Sequence, residues 1–376
     1  MKTFQNVFSE GQWKKPLETM AKAQLVLLFG NRNYARNEAI ITEIREHFPF
    51  AQIVGCTTSG ELIDTKIYDD SLCLTAISLE HSRLEVVSGN IENSSTAEVA
   101  QQLALQLDHQ GLRYAIVLAD GHQLNGTELV NGLQANLPDN VLISGGLAGD
   151  GTNFSETVVW HNDNSNTGNI LVIGFYGEQL KFSHGCIGGW SAFGPDRTIT
   201  KSARNVLYEL DNQPALELYK KYLGPYAEQM PSSALLFPLV LKNGDKYITR
   251  TILNINEADG SMVFAGDVPE GSVVQLMRAN TSNLIDGAEI AAETALENLN
   301  ITPESGLALL ISCVGRRLVL DKHTEDELEV VKDVIGDNWA YTGFYSYGEL
   351  SPLNGSSECA LHNQTMTITA ICELDD

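Results

Sequence analysis

A pattern of eight residues that occurs twice is the feature that most constrains how this chain folds. Residues 55–62 (GCTTSGEL) and 343–350 (GFYSYGEL) both read G-x-x-x-x-G-E-L. Each copy follows a short apolar run that comes after a predicted helix, so each lies where a buried strand ends and the chain turns. Ligands bind beyond the carboxyl ends of strands in open α/β sheets, and we therefore interpret the two copies as paired halves of one site.

The pattern belongs to a larger unit of strand, helix and glycine-ended strand. An apolar run at 24–30 precedes the first copy and another at 307–313 precedes the second, each separated from it by one helical pattern. Residues 114–121 and 141–150 enclose a third unit of the same form. This spacing is typical of a βαβ unit. The sequence thus predicts an α/β fold of βαβ units with glycine-ended strands plus antiparallel strands, with an internal duplication.

Local signals define further elements and the domain limits. Residues 71–79 and 84–89 are predicted as a pair of strands joined at 80–83. Helix-stopping residues meet at Gly224-Pro225, where we place a boundary. Capping boxes, in which a hydroxyl residue precedes a glutamate by three positions, are predicted at Ser95 with Glu98 and at Thr324 with Glu327. The predicted organisation is a lead-in at 1–22, an N-terminal domain at 23–224 and a C-terminal domain at 225–376.

Charge and cysteine content exclude some classes of function. The chain has 24 Lys and Arg against 48 Asp and Glu, a net charge of −24, which argues against binding to nucleic acid or anionic membranes because both need basic patches. The six cysteines include no C-x-x-C pair, so we expect reduced buried thiols instead of disulfides or a zinc site. The sequence has no signal-peptide core and no apolar stretch of membrane-spanning length, and we expect a cytoplasmic protein.

Six motifs in order along the chain are GCTTSGEL, LISGGLAGD, HGCIGGW, ISCVGRR, TGFYSYGELSP and LHNQTMT. With them the chain resembles the FIST family of bacterial sensory proteins over roughly residues 25–372. The resemblance implies an N-terminal and a C-terminal FIST domain that sense a small ligand inside the cell for signal transduction. Many members carry a fused output domain. This chain ends after the second domain, so we expect its output to be delivered to a separate protein.

The resemblance also implies a cofactor and a partner. Stand-alone members of this size resemble nitric-oxide-sensing haemoproteins that modulate a histidine kinase of a two-component system. We therefore expect haem b as cofactor, nitric oxide as the signal, and a histidine kinase or other signalling protein as the partner in trans. The alternative is a haem-free FIST sensor of amino acids or related small acids.

A sensor site needs a concave shape and a few convergent polar groups. Carboxylates from the repeated pattern, an arginine fork after the ISC strand, and neutral donors near the C-terminus meet this need. Two alternatives stay open: the glutamates could hydrogen-bond to backbone amides of their own turns, and the arginine pair at 316–317 could lie on a solvated surface. The predicted ligand-binding residues are Cys56, Ser59, Glu61, Arg316, Tyr345, Glu349, Asn363 and Thr365.

Haem requires an axial ligand, and a histidine is the usual one. His184 lies in the glycine-rich turn, His362 lies beside Asn363, and His122 follows a strand end; these three are the candidates, in that order. Each could instead be an ordinary structural histidine. A cysteinate from Cys186 or Cys313 is a further alternative.

An enzymatic function has little support in the sequence. Cys56 or Ser59 in the first glycine turn could act as the nucleophile of a hydrolase. No G-x-S-x-G motif is present, however, and no histidine is spaced as a base for either residue. Walker and Rossmann glycine motifs are also missing. We therefore predict that the protein is not an enzyme.

Overall fold

The computed structural model describes residues 1–230, 232–243, 246–301, 303–353 and 356–374, so residue 376, the predicted end of the C-terminal domain, lies outside the described residues. Helices in the first half are α1 (Arg32–Ala35), α2 (Glu38–His47), α3 (Thr96–Gln106) and α4 (Gly126–Gln134). Strands in the same part are β1 (Lys2–Ser9), β2 (Gln12–Trp13), β3 (Leu25–Gly30), β4 (Gln52–Cys56), β5 (Glu61–Ile63), β6 (Lys66–Tyr68), β7 (Leu72–Ser78), β8 (Arg83–Asn90), β9 (Leu112–Ala119), β10 (Leu142–Leu147), β11 (Val159–His161), β12 (Asn164–Asn166), β13 (Asn169–Tyr176) and β14 (Leu180–Ile187).

The second half contains an inserted module and then the last unit. The module has strands β15 (Ser191–Ala203), β16 (Val206–Leu210), β17 (Gln213–Pro214), β18 (Leu239–Asn243), β19 (Lys246–Arg250), β20 (Ile252–Asn256), β21 (Ser261–Phe264) and β22 (Val273–Arg278), helix α5 (Ala215–Leu223), and 3-10 helices at Gly224–Gln229 and Ser232–Leu236. The last unit has helices α6 (Thr281–Leu299), α7 (Val314–Leu320) and α8 (Asp326–Ile335), a 3-10 turn at Asp321–His323, and strands β23 (Gly306–Cys313), β24 (Trp339–Ser346), β25 (Gly348–Pro352), β26 (Cys359–His362) and β27 (Met366–Glu373).

Each of the three predicted units forms a parallel pair of strands, β3 with β4, β9 with β10 and β23 with β24. The pairs are extended in the same way. An antiparallel strand lies beside the first strand of each pair (β7, β13 and β27), and a hairpin lies beside the second (β11–β12, β25–β26 and β5–β6). The predicted α/β fold with antiparallel additions is confirmed, and the internal repetition extends to three units.

The hairpins are exchanged around the three sheets. The hairpin that follows β4 pairs with β24, the one that follows β10 pairs with β4, and the one that follows β24 pairs with β10. Three of the four sheets contain strands from both sides of residue 224: β14 and β5–β6 join the third sheet, β25–β26 join the second, and the sheet of the module combines β15–β17 with β18–β22. The boundary at Gly224-Pro225 falls inside the module, between α5 and the following 3-10 helix.

A glycine occupies the same position in the second strand of all three units. These glycines lie directly opposite a residue of the parallel partner strand, where the two backbones approach closely. Any side chain would collide with the partner's carbonyl oxygen, so only glycine fits. An added Cβ would lie 1.8 Å from the oxygen of Leu28 at Gly55, 1.9 Å from that of Val117 at Gly145, and 1.7 Å from that of Leu310 at Gly343.

The inner faces of the three sheets meet in a central core. Phe29, Ile116 and Phe344 come from the three different sheets and are all buried in this core. The outer faces are covered by helices, α2 on the first sheet, α3 and α4 on the second, and α6 and α8 on the third. The strands are therefore buried on both faces, which explains why they read as continuous apolar runs.

Two local predictions are confirmed and one is wrong. Residues 71–79 and 84–89 form the two predicted strands, β7 and β8, which lie in different sheets because the chain crosses from the first sheet to the second between them. Ser95 and Glu98 form the predicted capping box at α3. Thr324 does not cap α8: the N-cap is Glu325, and the Thr324 hydroxyl donates to the Asp321 carbonyl.

The lead-in and the module have defined roles. Strand β1, in residues 1–22, pairs with β7 and extends the first sheet. Strands β15–β22 form a separate eight-stranded sheet. They pack with α5 around a core that includes Leu207, Met262 and Phe264. The module lies against the body of the protein through the neighbourhood of β25, β26 and α7.

Candidate functional site

The first repeated glutamate, Glu61, forms hydrogen bonds to both its own glycine turn and the residue before β7. Its Oε1 accepts a hydrogen bond from the Thr58 hydroxyl at 2.7 Å, and its Oε2 accepts one from the Ser71 hydroxyl at 2.8 Å. Thr58 lies in the same turn, and Ser71 directly precedes β7. Burial raises the pKa of Glu61 to about 7, although both hydroxyl bonds act in the opposite direction.

The second repeated glutamate, Glu349, makes the equivalent contacts. It accepts hydrogen bonds from the Ser346 hydroxyl at 2.6 Å and from the Thr365 hydroxyl at 2.8 Å, and Thr365 directly precedes β27. Burial again raises the pKa of Glu349 to about 7. Both carboxylates are satisfied by hydroxyl groups within the fold, which is a turn-stabilising role.

In the second unit, an aspartate instead of a glutamate makes the hydrogen bond to the residue before the antiparallel strand. Asp120, at the end of β9, accepts hydrogen bonds from the Thr157 hydroxyl at 2.8 Å and from the backbone amide of Gly168 at 2.7 Å. Gly168 directly precedes β13, as Ser71 precedes β7. A buried carboxylate beside the start of the antiparallel strand is thus common to all three units.

The two glycine turns lie side by side, as the sequence predicts. Strand β5 pairs with β24, the Ser59 amide donates to the Tyr345 carbonyl at 2.8 Å, and the Tyr345 amide donates to the Gly60 carbonyl at 2.9 Å. In the described part of the chain, however, Glu61 and Glu349 share no hydrogen-bond partner. Backbone hydrogen bonds join the two turns.

Arg316 is buried in an ion-pair network and does not present a fork to a cavity. Its Nη2 lies 2.7 Å from Glu327 Oε2 and also donates to the Leu284 carbonyl at 2.8 Å. Its Nη1 donates to the Gly188 carbonyl at 2.5 Å. The Tyr345 hydroxyl donates to the other oxygen of Glu327 at 2.6 Å.

The partner of Arg316 was not found from the sequence, because Glu327 looked like part of a cap. A glutamate on the apolar stripe of α8, next to Leu328 and Val331, was the signal that could have located it. The neighbouring Arg317 behaves differently, since it pairs with the exposed Asp69 at 2.6 Å.

The first glycine turn offers no activated nucleophile. Cys56 is completely buried, and burial together with the charge of Glu61 raises the pKa of its thiol. The Ser59 hydroxyl accepts a hydrogen bond from the Gly151 amide at 3.1 Å. Neither side chain hydrogen-bonds to a histidine within the residues that the structure describes, so the hydrolase alternative has no base.

Three residues singled out in the sequence come together elsewhere. Cys186, His362 and Thr365 all line a cavity of about 530 Å³ between the HGCIGGW turn, the β25–β26 region and the module. We call it the Cys186 cavity. His184 lies two residues before Cys186 on the same face of β14, opposite Thr369. Its Nδ1 is buried and has no hydrogen-bond partner among the described residues, and burial lowers the pKa of its ring.

A second cavity of about 490 Å³ opens at the carboxyl ends of β9 and β23, and we call it the β9–β23 cleft. His122 and Cys313 line it. His122 is exposed, and its Nε2 lies at hydrogen-bond distance, 2.7 Å, from the Phe154 carbonyl oxygen. Burial raises the pKa of the Cys313 thiol. The apolar walls are Leu124, Leu147, Phe154, Leu235, Leu253, Phe264, Val314, Leu318 and Tyr347, and the polar lining includes Asn125, Arg204, Asn205, Thr251 and Asn254.

Helix ends and unpaired groups add polarity to this cleft. The N-terminus of α4 opens on it at Asn125, and that of α7 opens on it at Cys313, which makes no side-chain cap. The Thr251 hydroxyl is buried and has no partner within the described residues. Behind it, Asn363 accepts a hydrogen bond from the Thr251 amide at 3.5 Å and is fully buried. Of the predicted ligand-binding residues, none lines the cleft itself.

An α/β protein with a ligand-sized cleft at the carboxyl ends of its parallel strands has the architecture of a small-molecule-binding protein. The FIST N domain model matches residues 24–213, and the FIST C domain model matches residues 215–352. The chain belongs to the FIST family. FIST domains are in general small-ligand-sensing domains of signal transduction, and they are in general not enzymes.

The chain is similar to three uncharacterised proteins. Two are from Mycobacterium tuberculosis strains CDC 1551 and H37Rv, each 20% identical over 358 residues, with 92% of this chain and 90% of the relative covered. The third, from Methanocaldococcus jannaschii, is 24% identical over 350 residues, with 81% of this chain and 65% of the relative covered. Within the described ranges, no helix has both the length and the apolar character needed to span a membrane.

Proposed function

We propose that this protein senses a small organic acid, such as an amino acid, that binds in the β9–β23 cleft. The observation that carries the proposal is the composition of this cleft. It combines apolar side chains with a comparable share of polar groups at one end of a parallel sheet, where α/β proteins bind small ligands.

The polar groups of the cleft favour a ligand with a negative charge. Asn254 lines the cleft, and its side-chain amide can donate a hydrogen bond to a carboxylate. Arg204 adds a positive charge at the rim, where it also lies 3.2 Å from Glu128. The buried Thr251 hydroxyl is free to bond to a second polar group of the ligand. The apolar wall accommodates the hydrocarbon part.

The position of the cleft explains how binding produces a signal. Leu253 and Phe264 belong to the module, whereas Leu147 and Leu318 belong to the body, and all four line the cleft. A ligand that contacts both parts stabilises the arrangement in which they are close, and it shifts the population toward that state. The family resemblance supports a histidine kinase or other signalling protein as the partner that recognises this state in trans.

The residues fit haem b poorly. Arg316, the expected partner of a haem propionate, is fully buried with Glu327. His184, the first candidate for the axial ligand, lines neither cavity. We therefore prefer the haem-free alternative and leave nitric oxide out of the proposal.

A thermal-denaturation screen of the full chain against amino acids and small organic acids tests the proposal. A ligand that binds only the folded state raises the midpoint of unfolding in a concentration-dependent manner. We expect Leu253→Trp and Leu318→Trp, which replace half-exposed residues in the cleft, to abolish the rise. The control Leu105→Trp, on an exposed face of α3 outside the cleft, retains it.

Two results would contradict the proposal. If a ligand still raises the midpoint of unfolding in both cleft variants, it binds elsewhere. If no acid in the screen raises the midpoint, small organic acids are not the ligands. An absorption spectrum in the ferric, ferrous and nitric-oxide-treated states checks the haem fit separately. A Soret band that moves with nitric oxide would restore haem b as the cofactor.

A further inference from the structure

We propose that Cys186 and His362 form a nucleophilic thiol site that takes a small α,β-unsaturated carbonyl compound from the Cys186 cavity as a covalent ligand. The site is separate from the β9–β23 cleft, and it uses residues that the proposed sensing of an organic acid does not need. The orientation of the imidazole, the donors around the sulfur and the access through the cavity support this assignment.

The hydrogen bonds of His362 fix its tautomer. Its Nε2 lies 3.1 Å from the carbonyl oxygen of Ser351, which can only accept a hydrogen bond, so Nε2 carries a proton. The other nitrogen, Nδ1, is therefore unprotonated in the neutral ring. Both side chains line the same cavity and each shifts the pKa of the other, so Nδ1 is the nitrogen left to take the thiol proton. A backbone carbonyl thus orients the base, as a carboxylate does in other nucleophilic sites.

The surroundings of the sulfur stabilise a thiolate. The Thr367 hydroxyl donates to Cys186 Sγ at 3.5 Å from the neighbouring strand. Burial alone would raise the pKa of the Cys186 thiol, but the charge of His362 and the hydrogen bonds from His362 and Thr367 outweigh burial and lower it. The pKa of His362 is raised in turn, since the charge of Cys186 opposes the effect of burial.

The other titratable groups around the pair come from five elements. They are His184 on β14, Lys242 on β18, Tyr247 and Arg250 on β19, Glu349 on β25 and Cys359 on β26. Burial raises the pKa of each remaining thiol, which leaves Cys186 as the one activated cysteine of the six.

The cavity suits a small organic electrophile. Trp190, Met277 and Leu353 supply apolar contacts, and Thr249 and Gln275 supply groups that can bind a carbonyl oxygen. A thiolate is a soft nucleophile, and an activated carbon–carbon double bond is a soft electrophile that it attacks readily. A volume of about 530 Å³ leaves room for such a compound beside the sulfur.

The reaction is an addition that needs no oxidant. The sulfur of Cys186 forms a bond to the β-carbon, and the electrons of the double bond move onto the carbonyl oxygen as an enolate. The α-carbon then takes up the proton that His362 received from the thiol. The net change is addition of S–H across the double bond, and His362 ends in its starting protonation state.

N-ethylmaleimide, an α,β-unsaturated imide, is the probe for the test. The native full chain is treated with limiting reagent at pH 7, and the labelled cysteines are located by mass spectrometry of peptides. We expect Cys186 to react at least about tenfold faster than any other cysteine, because its thiolate fraction is much larger. Its rate should level off at a pH below the ordinary thiol range.

Variants separate activation by His362 from mere exposure. His362→Gln keeps a donor for Ser351 but removes the base, so labelling of Cys186 at pH 7 should slow about tenfold and its pH midpoint should rise. Ala192→Trp, at an exposed position lining the cavity, should slow labelling by obstruction, whereas Leu105→Trp should not. Leu253→Trp and Leu318→Trp should leave labelling unchanged, which distinguishes this site from the cleft.

Three results would overturn the proposal. One is a different cysteine reacting first in the native protein. Another is a pH midpoint for Cys186 that is the same in the wild type and in His362→Gln. The third is labelling of Cys186 that occurs only after denaturation. This outcome is tested on the wild-type protein alone and needs no variant.

Discussion

The buried carboxyl of Glu61 makes a quantitative prediction about stability and pH. Its pKa in the folded protein is raised to about 7 by burial, from an ordinary value of 4.5. The folded state therefore binds more protons than the unfolded state between these two values. The stabilisation by the protonated form is complete below pH 4.5 and is lost as the pH rises through 7.

The size of the effect follows from the shift. At about 1.4 kcal/mol per pKa unit, the whole change amounts to about 3 kcal/mol, of which about 2 kcal/mol falls between pH 5.5 and pH 8. This range stays above the isoelectric point of about 4.6. The substitution Glu61→Gln keeps one oxygen acceptor and offers an NH2 group to the hydroxyl on the other side, but it cannot titrate, so it should remove this pH dependence.

The assay is urea denaturation of the wild type and Glu61→Gln at several pH values between 5.5 and 8, with the free energy of unfolding obtained by linear extrapolation. Groups elsewhere titrate equally in both proteins, so the difference between them isolates Glu61. We expect the wild type to lose about 2 kcal/mol relative to the variant as the pH rises.

A control and a refuting result complete the experiment. Glu98, in the capping box of α3, has its pKa lowered by hydrogen bonds from the Ser95 amide and hydroxyl. Glu98→Gln should therefore give a difference that stays constant between pH 5.5 and 8, because the contribution of Glu98 is lost only as the pH falls below 4.5 toward its folded pKa. A wild-type minus Glu61→Gln difference that stays constant across the range would show that the burial argument is wrong.

Three further predictions concern the repeated architecture and its buried charges. Glu349→Gln should reproduce the effect of Glu61→Gln on the pH dependence of the free energy of unfolding. The double variant should show about the sum of the two effects, because the two carboxyl groups share no hydrogen-bond partner. A single variant that already removes the whole effect would contradict this. Glu327→Gln should cost about 3 to 5 kcal/mol in urea denaturation, since it leaves the Arg316 charge buried and unpaired, whereas Asp69→Asn, which breaks the exposed pair with Arg317, should cost at most about 1 kcal/mol. Gly343→Ala should prevent folding or cost more than about 3 kcal/mol because its Cβ meets the Leu310 carbonyl. Gly271→Ala, with φ of +82° and open space around the added Cβ, should cost only about 1 to 2 kcal/mol, and equal losses in both glycine variants would refute the steric argument.

Much of the fold could be predicted because its signals are local. The apolar runs and the glycines at 55, 145 and 343 identify the three strand–helix–strand units, since both faces of each sheet are buried and the parallel backbones approach closely. The capping box at Ser95 could be predicted for the same reason, because it needs only residues three positions apart. The motifs in order also indicated the family, which the domain matches show.

The tertiary structure alone decided which units share a sheet and where the cavities lie. Hairpin exchange is a long-range choice, and neither β5 nor β25 carries a local sign that it will pair with a strand of another unit. The role of Glu327 depends on Arg316 lying opposite it on α7, which no spacing rule reveals. The cleft and the Cys186 cavity form only where the module meets the body, so residues such as Thr251 and Leu253 gain their position from packing between segments far apart in the chain.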